Sequence, residues 1–156
     1  MGIAGWKTIS NFGPLQKEIQ KSLEKMIALV ESTLHPKAYT RVEICDLLEC
    51  SSDQELFDIC QISDHVRNCQ DFELYKRAMH VFGEAKRVYD FKRTCDEHIV
   101  AKERSNGVAG DKNPLATLGK LMFASHESCD QMYDCSHPQL NTLVDLSKKH
   151  GALGAR

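Results

Sequence analysis

The chain has 156 residues, of which 42% are apolar and 27% charged, and a formal net charge of −2. That is enough for one domain with a core and too little for two ordinary ones. A near-neutral balance gives no electrostatic basis for binding nucleic acid or an anionic membrane surface, and no apolar run approaches the roughly 18 residues a membrane helix needs.

The opening MGIAGWKTISNFGPLQ has no basic stretch followed by an apolar one, so it does not read as a secretory signal. Trp6 stands where a myristoylation motif wants Ser or Thr. Gly13-Pro14 opens a first helix. Leu15, Ile19, Leu23, Met26, Ile27 and Val30 give it one continuous apolar stripe, and His35-Pro36 ends it. Thr40-Arg41-Val42-Glu43 is a capping-box pattern that starts a short helix through Leu48. Ser52-Asp53-Gln54-Glu55 repeats the signal for a helix carrying Leu56, Ile59 and Cys60. The longest helix is expected over about 71–97, burying Leu74, Ala78, Val81, Ala85 and Val88, with Tyr75, Phe82 and Tyr89 flanking them. Residues 102–112, KERSNGVAGDK, read as a surface loop. A helix follows from Pro114 to about Tyr133, and Ser136-His137-Pro138 opens the last one, which Gly151 closes. No stretch alternates convincingly enough to be a strand.

Seven cysteines (Cys45, Cys50, Cys60, Cys69, Cys95, Cys129, Cys135) are odd in number and irregular in spacing. With no signal read at the start they suggest reduced thiols in a cytoplasmic protein, several serving as small hydrophobes on helices. His126, Cys129, Cys135 and His137 are four soft ligands within twelve positions, yet paired Cys-x-x-Cys spacing is missing. Core cysteines and exposed histidines are the preferred reading over zinc. Cys129 and His126 share a helix face without an evident third group to orient a catalytic base. No phosphate-cradling glycine motif is present, and Lys148-Lys149-His150 complement a helix dipole. Read from the residues alone, the chain is a helical domain without a visible active site: no catalytic, cofactor-binding or metal residue is assigned.

Three stretches stand out: LHPKAYTRVEICDLL over 34–48, YKRAMHVFGEAKRVYDF over 75–91 and the run over 119–156. Together, and in this order, they resemble the C-terminal half of the galactokinase branch of the GHMP small-molecule kinases, most of all its N-acetylgalactosamine kinase subgroup. The second carries Arg77-Ala78, His80-Val81, Glu84 and Arg87-Val88. The third carries Gly119, Ser125-His126, Ser128-Cys129, Met132-Tyr133, Cys135-Ser136, Leu143-Val144-Asp145 and Gly151-Ala152-x-Gly154-x-Arg156. His137 and Asn141 depart from the family pattern, and the 102–112 loop looks longer than in relatives.

The resemblance implies a mainly α piece of an α+β GHMP kinase C-terminal domain. The family's Gly-Glu-His signature, phosphate loop, catalytic aspartate and third glycine-rich motif would lie outside residues 1–156. The expected function is then that of a fragment of an ATP-dependent sugar-1-kinase, acting on galactose or N-acetylgalactosamine and inactive as this chain alone. ATP and Mg²⁺ are expected only in the complete enzyme, as is the sugar substrate. The alternative is a non-catalytic helical sensor or interaction module on the same scaffold. His80, Glu84 and Arg87, at i, i+4 and i+7, are open to a buried polar contact or a surface ion pair. The tail 151–156 is expected to lead towards a strand without itself being regular. Val81, Val88, Leu143 and Val144 are expected to form an apolar face favouring self-association.

Overall fold

The computed structural model describes residues 11–104 and 113–156. It is 70% helical, with seven α-helices and one two-stranded sheet among the described residues. No described helix is long and apolar enough to cross a membrane. The chain divides into two compact units, Met1–Met79 and His80–Arg156.

In the first unit the expected opening helix is two helices, α1 (Phe12–Glu18) and α2 (Leu23–Thr33). Gln20 takes a left-handed φ of 50°, and the Ser22 side chain caps α2 by accepting from the Lys25 amide. A serine at that position satisfies an orphan N–H, so a fresh helix start outweighs continuity of the apolar stripe. Helix α3 (Arg41–Leu48) starts as expected: the Thr40 hydroxyl accepts from the Glu43 amide at 3.2 Å, and the Glu43 carboxylate accepts from the Thr40 amide at 2.7 Å. Helix α4 (Asp53–Cys60) differs in one detail. Ser52 caps it, but the Glu55 carboxylate accepts from the Ser51 amide rather than from that of Ser52.

Two strands, β1 (Tyr39–Thr40) and β2 (Asp71–Phe72), pair antiparallel, with Tyr39 opposite Phe72 and Thr40 opposite Asp71. At two residues each they are too short to show alternation, so they leave no sequence pattern. Tyr39, Ile44 and Leu56 form a buried cluster in this unit, packed round by Leu34, Leu48, Phe57 and Phe72 among others, and Met26 and Val30 of α2 are buried as well. Arg41 ties its periphery together. Its guanidinium pairs with Asp53 at 2.7 Å, donates to the carbonyls of Arg67 and Cys69, and lies over the Phe57 ring.

Helix α5 (Leu74–Arg104) is longer than expected. The first three residues of the proposed loop, Lys102 to Arg104, are helical, while 105–112 lie outside the described residues. Its buried positions are Ala78, His80 and Phe82, and the face expected to continue to Val88 stops short: Val88 is 65% exposed and Val81 half-buried. In the second unit, α6 (Pro114–Ser128) passes into a π-helical turn, Cys129–Tyr133, before α7 (Pro138–Lys149). Helix α7 ends in a Schellman motif. The Ala152 amide donates to the Ser147 carbonyl, the Gly151 amide donates to that of Lys148, and Gly151 supplies the positive φ of 84°.

Candidate functional site

The polar residues singled out on α5 converge with α6 in the second unit. His80 and Glu84 are one turn apart, and so are Ser125 and Ser128, so the two short polar ladders meet rung to rung. His80 is buried, and its Nδ1 lies 2.9 Å from the Ser128 hydroxyl and 3.2 Å from the Ser128 carbonyl. The carbonyl only accepts, so the arrangement favours an Nδ1–H that donates to Ser128. In that tautomer Nδ1 offers the hydroxyl no base, and the pair is a brace rather than a nucleophilic dyad. Tyr133, from the π-helical turn, stacks on the His80 ring at 4.5 Å.

One turn along, the Glu84 carboxylate accepts from the Ser125 hydroxyl at 2.7 Å and from Arg87 Nε at 2.6 Å. The remaining guanidinium contact, Arg87 Nη2 to Glu84 Oε1, is an ion pair at 2.5 Å without hydrogen-bond geometry. Gly83 makes room for this guanidinium, since a Cβ there would lie 3.2 Å from Arg87 Nη2. Arg156 approaches the same carboxylate at 3.6 Å. These α5 residues therefore combine a buried polar contact at His80 with a half-buried ion pair between Glu84 and Arg87.

The tail reaches Glu84 because two glycines let it. Leu153 and Gly154 press their backbone onto Gly119 of α6. A Cβ at Gly119 would lie 1.7 Å from the Leu153 carbonyl oxygen, and one at Gly154 would lie 2.6 Å from the Gly119 Cα. The tail is not a regular element, as expected, but it is docked. The sequence holds Gly119, Gly154, Ser125 and Ser128 in positions that do not by themselves pair them. The available signal was the matched one-turn spacing of His80/Glu84 and Ser125/Ser128.

The soft-ligand set does not assemble. Among the described residues no three His, Cys, Asp or Glu side chains come together to hold a metal ion. His126 is buried rather than exposed, and Cys135 is exposed rather than in the core, which corrects the expectation for both. His137 instead caps α7, accepting from the Gln139 amide. Burial first, and then a hydrogen bond with the Cys135 thiol, push the Cys129 thiol up from its ordinary range. The Asp130 carboxylate accepts from the Asn141 amide group at 2.7 Å, tying the π-helical turn to α7. All of these contacts brace helices.

The geometry thus defines a helical scaffold with an internally braced, glycine-docked tail. Comparison with known proteins says whose scaffold it resembles. The chain is 34% identical over 162 residues to the galactokinase of Dictyostelium discoideum, a match covering 97% of this chain and 31% of that protein. It is 30% identical over 146 residues to the galactokinase of Saccharomyces cerevisiae, covering 92% of this chain and 26% of that one. It is also 39% identical over 84 residues to the galactokinase of Thermotoga maritima, covering 53% of this chain. No protein-family model matches the chain. These similarities support a galactokinase-type family. The chain spans less than a third of the length of these relatives.

Proposed function

We propose that the chain supplies helical scaffold to an ATP-dependent sugar-1-kinase that moves the γ-phosphate of ATP to the anomeric hydroxyl of galactose or N-acetylgalactosamine. The observation that carries this reading is similarity to a galactokinase across 97% of the chain. The N-acetylgalactosamine subgroup rests on the motif resemblance alone, and the domain assignment is that of part of a GHMP kinase C-terminal domain. The matched relatives are named as kinases, so nothing favours the non-catalytic sensor module over this reading.

Phosphoryl transfer draws its acceleration from positioning and charge stabilisation around the phosphates and their metal. The polar side chains between α5 and α6 are braces committed to one another, and the chain alone is proposed to be inactive. ATP, Mg²⁺ and sugar would be bound by the complete enzyme, in the cytoplasm, with no nucleic-acid or membrane partner. Zinc is not expected to co-purify, and elemental analysis showing about one zinc per chain, lost in Cys129→Ser, would contradict that.

The test compares this chain with a protein extended on both sides to the length of the relatives, each given ATP, Mg²⁺ and either sugar. Sugar 1-phosphate should form with the extended protein and stay at background with the chain alone. An extended, folded protein that phosphorylates neither sugar would overturn the kinase reading. Turnover by the chain alone would overturn the scaffold reading.

A further inference from the structure

We propose that Cys129 and Cys135 form a reversible dithiol–disulfide modification site, oxidised by a small-molecule disulfide such as oxidised glutathione. The inference rests on the chain's own geometry and is independent of the kinase reading.

The π-helical turn brings the two residues together. The Cys135 amide donates to the Cys129 carbonyl at 3.0 Å, and standard backbone lengths then keep the two Cα atoms within roughly 7 Å, the limit a disulfide can span. Asp134, with a left-handed φ of 59°, makes the reversal that returns the chain to Cys129. Both cysteines are free, Cys135 exposed and Cys129 half-buried.

The accessibility difference orders the reaction. The exposed Cys135 thiolate attacks the small disulfide, forming a mixed disulfide and expelling one thiolate, which takes up a proton. Cys129 then loses its proton and attacks the Cys135 sulfur. That forms the Cys129–Cys135 bond, releases the second small thiol and oxidises the two cysteines at the expense of one small-molecule disulfide. A bridge across so short and exposed a turn belongs to the labile class that reducing thiols reopen.

The chain contains its own comparison. Cys45 and Cys50 also bracket a backbone hydrogen bond, Cys50 amide to Cys45 carbonyl at 2.9 Å. Both, however, are half-buried and packed against the Tyr39–Ile44–Leu56 core, so neither thiol of that pair is exposed to an incoming disulfide, and the exposed thiol near them, Cys60, is removed for the comparison by Cys60→Ser.

The experiment incubates the folded chain with excess oxidised glutathione, alkylates the remaining thiols, digests with trypsin and weighs the peptides. Cys129 and Cys135 share the peptide 121–148, and Cys45, Cys50 and Cys60 share 42–67, so the Cys45–Cys50 comparison is read in Cys60→Ser. Peptide 121–148 should lose two hydrogens and both alkyl groups, and regain both alkyl groups after treatment with reduced glutathione. In Cys129→Ser the glutathione adduct should persist on Cys135. In Cys135→Ser, Cys129 should remain alkylatable. Circular dichroism of each variant confirms that it is folded. The proposal fails if peptide 121–148 of the native chain stays fully alkylated, if it keeps a stable glutathione adduct, or if 42–67 closes at the same rate.

Discussion

At Glu84 three donors share one carboxylate, and they are not equal. Ser125 and Arg87 hold it from partly buried positions, whereas Arg156 is 55% exposed and 3.6 Å away. An exposed ion pair at that distance contributes little, because solvent screens it and the long side chain must be ordered. Replacing Glu84 by Gln removes the charge that answers Arg87 while leaving the guanidinium in place. The expected loss is ~1–3 kcal/mol in urea unfolding, against less than ~1 kcal/mol for Arg156→Ala. Equal losses for the two variants would refute this ranking.

Glu43 makes a pH-dependent contribution of predictable sign. Hydrogen bonds from the Thr40 amide and then the Thr40 hydroxyl hold its carboxyl below the usual carboxylate range. Asp130 is lowered in the same way by Asn141 and then Gln131. A depressed folded-state value means that the unfolded chain takes up the proton first as pH falls. Both contributions are therefore complete above the unfolded carboxylate value of about 4 and are lost as pH drops through the lower folded value. Unfolding midpoints measured across that window should fall with pH, and less steeply in Glu43→Gln and Asp130→Asn. An unchanged slope in both variants would dismiss these carboxylates as its source.

Among the elements, α6 and the tail give the clearest test. Alanine in place of a helical glycine normally adds stability, up to about 1 kcal/mol, because it restricts the unfolded backbone. At Gly119 the sign should invert. The new Cβ would overlap the Leu153 carbonyl, a backbone atom that cannot swing aside, and overpacking of this kind costs ~1–3 kcal/mol. Gly119→Ala should lower the urea midpoint in the intact chain. The same substitution in a chain ending at Ala152 should leave it unchanged or raise it. A loss that persists without the tail would mean that the glycine contact is not its cause.

Elements with a local chemical cause were legible in advance. The Thr40/Glu43 box, the Ser52 start, Pro114 and Pro138 at first turns, and Gly151 past the last helix all act within four residues and lie where expected. The failures are of two kinds. The break after Ile19 has a local cap, Ser22, that the continuous stripe through Leu15 and Leu23 masks, whereas the two-residue strands exist only because residues 39–40 and 71–72 meet. Val88 shares the helical spacing of Ala78, yet Ala78 is buried and Val88 exposed, because burial depends on where a neighbour ends.

For the molecule as a whole, the balance of apolar surface matters most. Among the described residues seventeen large hydrophobic side chains are exposed, against eight buried hydrophobic residues. Val144, expected on an exposed face, is buried, but Leu140, Leu143 and Leu146 on the same helix are exposed, as is Leu153. Exposed apolar surface favours association, so the chain alone is expected to be marginally stable and to self-associate. Light scattering combined with thermal unfolding provides the check. A strictly monomeric chain with one sharp transition above roughly 65 °C, the upper end for mesophile domains, would contradict it.

By itself the sequence determined the mainly α class, most helix starts and stops, and the resemblance to galactokinases, since each of these is written in short-range pattern and residue order. Only the tertiary structure decided that His80 meets Ser128, that Glu84 gathers Ser125, Arg87 and Arg156, and that the tail rests on Gly119. Those pairings join residues up to 72 positions apart (156 − 84). A hydrogen bond or a steric fit at that separation depends on how helices are brought together, which no local pattern encodes.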